Sequence, residues 1–298
     1  MASSRDIAHP QVYSKLGELP PRFWEQLAPQ PIVSRVLMCE PSEFKVVDVK
    51  NPFMSQNVGG VDSEKAYQQW VRLLEAIEKQ GTPVEVISPV PGCEDMVFTA
   101  NPTLIGRTSK GLSTVVLSKM RFPSRQREVV AYRELFEANG YRIVELGEIP
   151  GPFEGGGDAI WHPGRRLIWG GHGYRSVAEA YRQISQIFEA PVVTLKLINE
   201  RFYHLDTCFS ALDESTALIY PEAFDADSLA MIQSGFLRVL ECDPEEAARG
   251  LACNCIGLPG KKVILPAGNP KTEVQLKSLG YDVTTVELSE FHKSGGSA

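Results

Sequence analysis

Five times along this chain a helical stretch ends in a glycine or an Ala-Pro break and is followed by a β-rich run. In order the pairs are EKAYQQWVRLLEAIEKQG with TPVEVIS, SRQREVVAYRELFEANG with YRIVEL, SVAEAYRQISQIFEA with PVVTLKL, DSLAMIQSG with FLRVLEC, and TEVQLKSLG with YDVTTVEL. The breaks fall at Gly81, Gly140, Ala190, Gly235 and Gly280, a period of about 45 to 60 residues. Glycine after the last helical turn supplies the left-handed cap. Each unit also carries short strand-like runs such as STVVLS, RRLIWG and TALIYP. Repeats with short sheets are commonly set around an axis, where equivalent loops converge. Chance spacing in a plain α/β protein is the alternative.

The loops after these strands hold the unusual polar residues. Asp95, Glu154 and His204 each come fourteen positions after a break, at 81, 140 and 190. In the fourth unit the insertion DPEEAARG delays the equivalent loop to Cys253 and Asn254, and in the fifth it reaches Ser294 and the end of the chain. Three ionisable groups at one offset predict one site at the centre of the repeat.

Composition removes several classes of function. With 298 residues, 43% hydrophobic and 22% charged, the chain suits one large domain or two modest ones. A net charge of -7 with scattered Lys and Arg leaves nothing to build a nucleic-acid groove or an anionic-lipid patch. No apolar run approaches the roughly 20 residues of a membrane helix, and MASSRDIAHPQVYSKLGELPPRF lacks the apolar core of a secretory signal. A soluble, cytoplasmic protein is expected. Six cysteines without scaffold spacing suit a reducing compartment. Cys253 and Cys255 form a lone C-x-C, and the five histidines never fall at H-x-x-x-H spacing, so neither a metal nor another cofactor is expected.

Asp95 precedes an apolar MVF and then Thr99-Ala100-Asn101. Such a carboxylate could bind a cation, with Phe98 as an aromatic face and Asn101 as a neutral donor and acceptor, or simply belong to a solvated turn. Glu154 precedes Gly155-Gly156-Gly157-Asp158, a run that permits close backbone approach and unusual dihedrals, or merely a sharp turn. His204 and Asp206 lie in RFYHLDTCFSAL, whose alternation reads as a strand. There, positions i and i+2 share a face, so Asp206 could fix the ring; a satisfied core histidine fits the same pattern. Arg121, Arg125 and Arg175 offer forks for a carboxylate. Acid, base, amide and arginines suit a small zwitterion with a carboxylate at one end and a cationic group at the other.

DMVFTAN (95–101), FEGGGD (153–158), GYRS (173–176), FYHLDT (202–207) and ELSEFHKSGG (287–296) resemble the guanidino-group-modifying superfamily. That superfamily includes arginine deiminase, dimethylarginine dimethylaminohydrolase, arginine dihydrolase and the amidinotransferases. The resemblance runs from about Val36 to the last residue and implies a five-bladed α/β propeller (pentein) over 35–298, with 1–34 as an N-terminal extension. Family members are often dimers or larger, so a homo-oligomer is compatible.

The resemblance also implies chemistry. A cysteine thiolate attacks the guanidinium carbon to give a covalent amidino intermediate. His204 would protonate the leaving amine and then activate water, and Glu154 would hold the guanidinium. Asp95, Phe98, Asn101 and Asp206 would line the substrate, and Arg121 and Arg175 would take its α-carboxylate. Asn101 stands where deiminases and dimethylargininases usually carry an acid. The FTAN form is similar to the arginine dihydrolase branch, which yields ornithine, ammonia and carbon dioxide. Citrulline-forming hydrolysis, amidino transfer and non-catalytic arginine binding stay open.

The nucleophile is the second departure. In the family it follows the GG of the last motif by a few residues, and this sequence stops two residues after Gly296, so the cysteine is expected beyond Ala298. Cys208 shares the His204 face but at about 13 Å by strand rise. Cys253 and Cys255 flank Asn254 and fit small buried hydrophobes.

Overall fold

The computed structural model describes residues 11–298. The first ten residues, which hold His9 and the start of the N-terminal extension, lie outside the described residues. Along the chain the elements are β1 (Val12–Tyr13), β2 (Val36–Cys39), α1 (Ser63–Lys79), β3 (Val84–Ile87), β4 (Thr103–Arg107), β5 (Ser113–Leu117), α2 (Pro123–Ala138) and β6 (Arg142–Glu145). They continue with α3 (Gly155–Asp158), β7 (Ala159–Trp161), β8 (Ile168–His172), α4 (Ala180–Phe188), β9 (Val192–Lys196), β10 (Phe209–Ala211), β11 (Thr216–Ile219), α5 (Ala226–Gly235) and β12 (Arg238–Glu241). The last are α6 (Pro244–Ala248), β13 (Ile256–Leu258), β14 (Lys262–Pro266), α7 (Pro270–Ser278), β15 (Asp282–Val286) and α8 (Ser289–His292).

The strands form small separate sheets in an α/β arrangement. In four of them an antiparallel strand pairs with a middle strand that is in turn parallel to the next: β4-β5-β6, β7-β8-β9, β10-β11-β12 and β13-β14-β15. Among the described residues, the sheet of β2 and β3 has only the parallel pair. A parallel pair needs a crossover, and α1, α2, α4, α5 and α7 each supply one. The predicted breaks mark the helix ends: Gly81, Gly140 and Gly280 have φ of 87°, 74° and 81°. These are left-handed values that favour glycine.

Burial explains why these helices persist. α1 is capped by the Asp62 side chain, which accepts from the Lys65 amide, and it turns Ala66, Trp70, Leu73, Ala76 and Ile77 inward. Those residues join Met38, Phe44, Ile264 and Phe291 in one apolar cluster, where each large side chain contributes roughly 1.5–3 kcal/mol of transfer free energy. The segment from residue 11 to 34 lies on the molecule as well. β1 adds parallel to β9, Phe23 is buried, and Trp24 stacks on Trp169. No helix of the described residues is long and apolar enough to cross a membrane.

Candidate active site

The polar loops follow the last strand of each sheet. Asp95 comes after β3, Glu154 after β6, His204 after β9, Asn254 after β12 and Ser294 after β15. All but Glu154 line one cavity of about 260 Å³, with Lys50, Phe98, Asn101, Arg125, Arg175 and Asp206 in the same wall. Glu154 lies behind it, fully buried, against His204 and Arg175. The equal offsets in the sequence thus correspond to convergence in space.

The histidine sits between carboxylates. His204 Nε2 is 3.2 Å from Glu154 Oε2, and Nδ1 is 3.1 Å from Asp158 Oδ2. Burial of the ring opposes its charge, but Asp158 and Glu154 together outweigh this and raise its pKa to about 9. Burial likewise favours the neutral form of Glu154. The hydrogen bond and charge of His204, with Arg175 and Arg125, reverse that and lower it to about 2. An imidazolium beside a carboxylate is therefore the resting state near neutrality.

Glu154 is held at several points. Oε1 accepts from the Arg121 amide at 2.9 Å and Oε2 from Arg175 Nη1 at 3.1 Å. Arg175 donates also to the Lys50 carbonyl at 2.8 Å, and its guanidinium lies between the rings of Phe122 and Tyr203, 4.8 and 4.7 Å from their centroids. Arg125 is buried and ion-paired with Glu128 at 3.0 Å. It donates to Asn101 Oδ1 at 3.0 Å and to the carbonyls of Asp95 and Phe98. The donation to Oδ1 orients the Asn101 amide, so that Nδ2 sits 3.2 Å from His204 Nε2.

The glycines allow this approach. A Cβ on Gly157 would stand 2.2 Å from Asn101 Nδ2, and one on Gly155, where φ is 52°, only 2.5 Å from the Asn101 and Thr103 carbonyls. The loop after β15 is packed similarly: a Cβ on Gly296 would lie 2.3 Å from the Phe98 ring. Asn51 pins that loop by donating to the Ser294 carbonyl at 2.8 Å and to Tyr203 Oη at 3.1 Å, while Tyr203 Oη donates to the Gly295 carbonyl at 2.9 Å.

Several expectations are corrected. His204 and Asp206 are not on a strand: residues Leu205–Thr207 form a 3-10 turn and β10 begins only at Phe209. The Leu205 amide donates to Asp158 Oδ1 and Thr207 Oγ1 donates to the His204 carbonyl, and these bonds fold the segment back. The ring's Nδ1 partner is consequently Asp158. Asp206 lines the cavity half-buried, and burial raises its carboxyl to about 7 despite the opposing His204 charge. The same turn brings Cys208 Sγ to 3.8 Å from the His204 carbonyl, in place of the strand spacing. Burial nevertheless pushes that thiol well above its ordinary value. Arg121 is exposed, with Nη1 donating to the Tyr174 carbonyl, so only its backbone amide serves the site. The triple glycine forms the single helical turn α3.

Lys50, Asn51, Glu128 and Asp158 are structural members of the site that the sequence reading assigned no role. Asp158 had a signal, since it closes the FEGGGD run. Glu128 also had one, standing three residues after Arg125 on α2, whereas Lys50 and Asn51 come from a segment distant in the chain. None of the six cysteines is among the cavity-lining residues. No group of three or more His, Cys, Asp or Glu among the described residues is placed to hold a metal ion.

Known proteins resemble this chain over most of its length. Residues 40–298 match the family described as N,N dimethylarginine dimethylhydrolase, eukaryotic. The bifunctional arginine dihydrolase/ornithine cyclodeaminase ArgZ of Synechocystis is 37% identical over 265 residues, 89% of this chain and 36% of that protein. This chain thus spans about a third of that relative. The N(G),N(G)-dimethylarginine dimethylaminohydrolase of Mycobacterium tuberculosis is 33% identical over 268 residues, 90% of this chain and 84% of that protein. The crystal structure of the substrate-bound N-terminal domain of ArgZ superposes with a TM-score of 0.81 at 35% identity, covering 87% of this chain and 93% of that one. A match over most of its length, together with relatives of this similarity, makes the chain a member of the N,N-dimethylarginine dimethylhydrolase family within the guanidino-modifying enzymes.

Proposed function

We propose that this chain forms the guanidine-processing domain of a hydrolase that converts arginine to ornithine, ammonia and carbon dioxide. The observation that carries the reading is the buried pair of Glu154 and protonated His204, 3.2 Å apart and bordered by the Asn101 amide. A guanidinium needs an ionised carboxylate inside a low-dielectric cavity, and Glu154 is held in that form. In this reading the five sheets are blades about one axis, residues 35–298 are a single domain, and 1–34 is an extension laid upon it.

The chemistry divides among named groups. A cysteine thiolate attacks the guanidino carbon. His204 gives its proton to the departing ammonia, and the neutral ring then takes a proton from the water that releases the intermediate. Asp158 positions the ring through Nδ1. A second round on the citrulline-level product consumes another water and yields ornithine, carbon dioxide and a second ammonia. Asn101, an amide where a carboxylate would add negative charge, favours binding of that uncharged ureido group. The reading includes a cytoplasmic location and leaves room for a homo-oligomer.

Protein made from the natural gene, incubated with arginine, tests this by quantifying ornithine, citrulline and ammonia. Two ammonia per ornithine is the expected result. Citrulline as the sole product, or no turnover of arginine, would overturn it.

A further inference from the structure

Lys50 is the only lysine among the described residues that line the cavity. Its side chain is 2% exposed, and Nζ lies 3.0 Å from Asp95 Oδ2 and 2.9 Å from Glu94 Oε1, with a close contact to Asp48 Oδ1. The three carboxylates differ in setting. Asp95 and Glu94 are buried, whereas the Asp48 side chain is 58% exposed. Asp95 Oδ2 receives no aligned hydrogen bond, although it is buried, and Oδ1 has only Ser294 Oγ at 3.4 Å. The contact between Lys50 and Asp95 is thus one of charge, and the buried oxygen is left for a better donor.

The backbone of Lys50 is fixed, and its ammonium bridges three carboxylates. Its carbonyl accepts from Arg175 and its amide donates to Met54 Sδ, while Nζ contacts Glu94 and Asp48 as well as Asp95 and so keeps two partners when another cation engages Asp95. Burial opposes the charge, but the charge of Asp95 and the hydrogen bonds to Asp48 and Glu94 hold this lysine above its ordinary pKa. Two cations cannot share one carboxylate in a closed cavity without a large repulsive cost.

We propose that Lys50 is a specificity-determining residue: without ligand its ammonium neutralises Asp95, the carboxylate that a cationic substrate group takes, and on binding it gives up Asp95 and keeps Glu94 and Asp48, which it already contacts. This rests on reading the cavity as a guanidine site. The internal competitor weakens cationic ligands by the fraction of time that Asp95 is engaged, and leaves neutral ligands untouched. It thereby narrows the difference in affinity between guanidinium and ureido groups, as a two-round hydrolysis requires.

Calorimetric titration of the wild-type chain, Lys50→Met and Lys50→Arg with arginine and with citrulline tests this. In Lys50→Met arginine should bind about tenfold more tightly, citrulline should be unchanged, and the unliganded protein should melt earlier because Asp95 has lost its countercharge. Lys50→Arg should remain near wild type. If Lys50→Met does not fold, Asp48→Asn takes its place. By removing the charge of one of the two partners that Lys50 keeps, it should weaken arginine about threefold while sparing citrulline. Arginine affinity unchanged or reduced in Lys50→Met, or unchanged in Asp48→Asn, would overturn the proposal. Absence of arginine binding in every protein would instead overturn the guanidine-site reading, and the role of Lys50 with it.

Discussion

Replacing Asp158 by asparagine removes one charge while leaving the shape of the loop intact. The amide oxygen can still accept from the Leu205 amide, which Asp158 Oδ1 does at 3.0 Å, so the turn that carries His204 should survive. The ring loses its anionic Nδ1 partner at 3.1 Å. In the native protein His204 is raised from 6.5 to about 9, with Asp158 the leading cause acting against burial. This net difference of about 2.5 pH units, left after burial is offset, corresponds to roughly 3 kcal/mol. Loss of Asp158 should therefore lower the His204 pKa by more than about one unit.

The sign of the stability effect follows from the direction of the shift. A raised histidine pKa favours the folded state while the ring is charged, so the contribution is complete below about pH 6.5 and disappears as pH rises through about 9. Wild type should lose stability across that window, and Asp158→Asn should lose less. Nitrogen-15 NMR titration of the His204 ring, paired with urea unfolding at pH 6 and pH 9, measures both. A ring that still titrates near 9 in the variant would refute the assignment of Asp158 as its positioning residue.

Other outcomes follow from the same geometry. Gly157→Ala drives a methyl into Asn101 Nδ2, and should cost about 1–3 kcal/mol by thermal unfolding and abolish arginine binding. Asn101→Asp keeps an acceptor for Arg125 but adds negative charge beside His204; its product should shift toward citrulline, read by ornithine-to-citrulline ratio. The thiols of Cys39, Cys93, Cys208, Cys253 and Cys255 are pushed up by burial, Cys39 to about 12 and Cys255 to about 11. In the folded 298-residue chain at neutral pH these five should react slowly with a disulfide reagent and resist labelling by an electrophilic amidine.

The repeat and its consequences were legible because they depend on local order. Helix periodicity, a glycine or Ala-Pro break near each helix end and, in three units, an offset of fourteen to a polar residue are all read locally, and they anticipated that Asp95, Glu154 and His204 would meet. The triple glycine announced a close approach, though not that Asn101 would be the group approached. What escaped the sequence depends on contacts between units. Asp158 reaches His204 across 46 residues and Asn51 reaches Ser294 across 243. Neither pairing has a local signature. RFYHLDT alternates as a strand does, yet Asp158 accepts the Leu205 amide and bends it into a turn, so tertiary bonding overrode the pattern. Arg121 and Arg175 look equivalent as residues; only the fold shows one exposed and the other enclosed between two rings.

The arginine complex of this protein, solved with the ligand in the cavity, is the most direct test. The expected result is a guanidinium against Glu154 and Asp95, its carbon facing the loop of Ser294–Gly296, with Lys50 released from Asp95 and still held by Glu94 and Asp48. Arginine bound elsewhere, or in the cavity with its guanidinium turned away from Glu154, would contradict it.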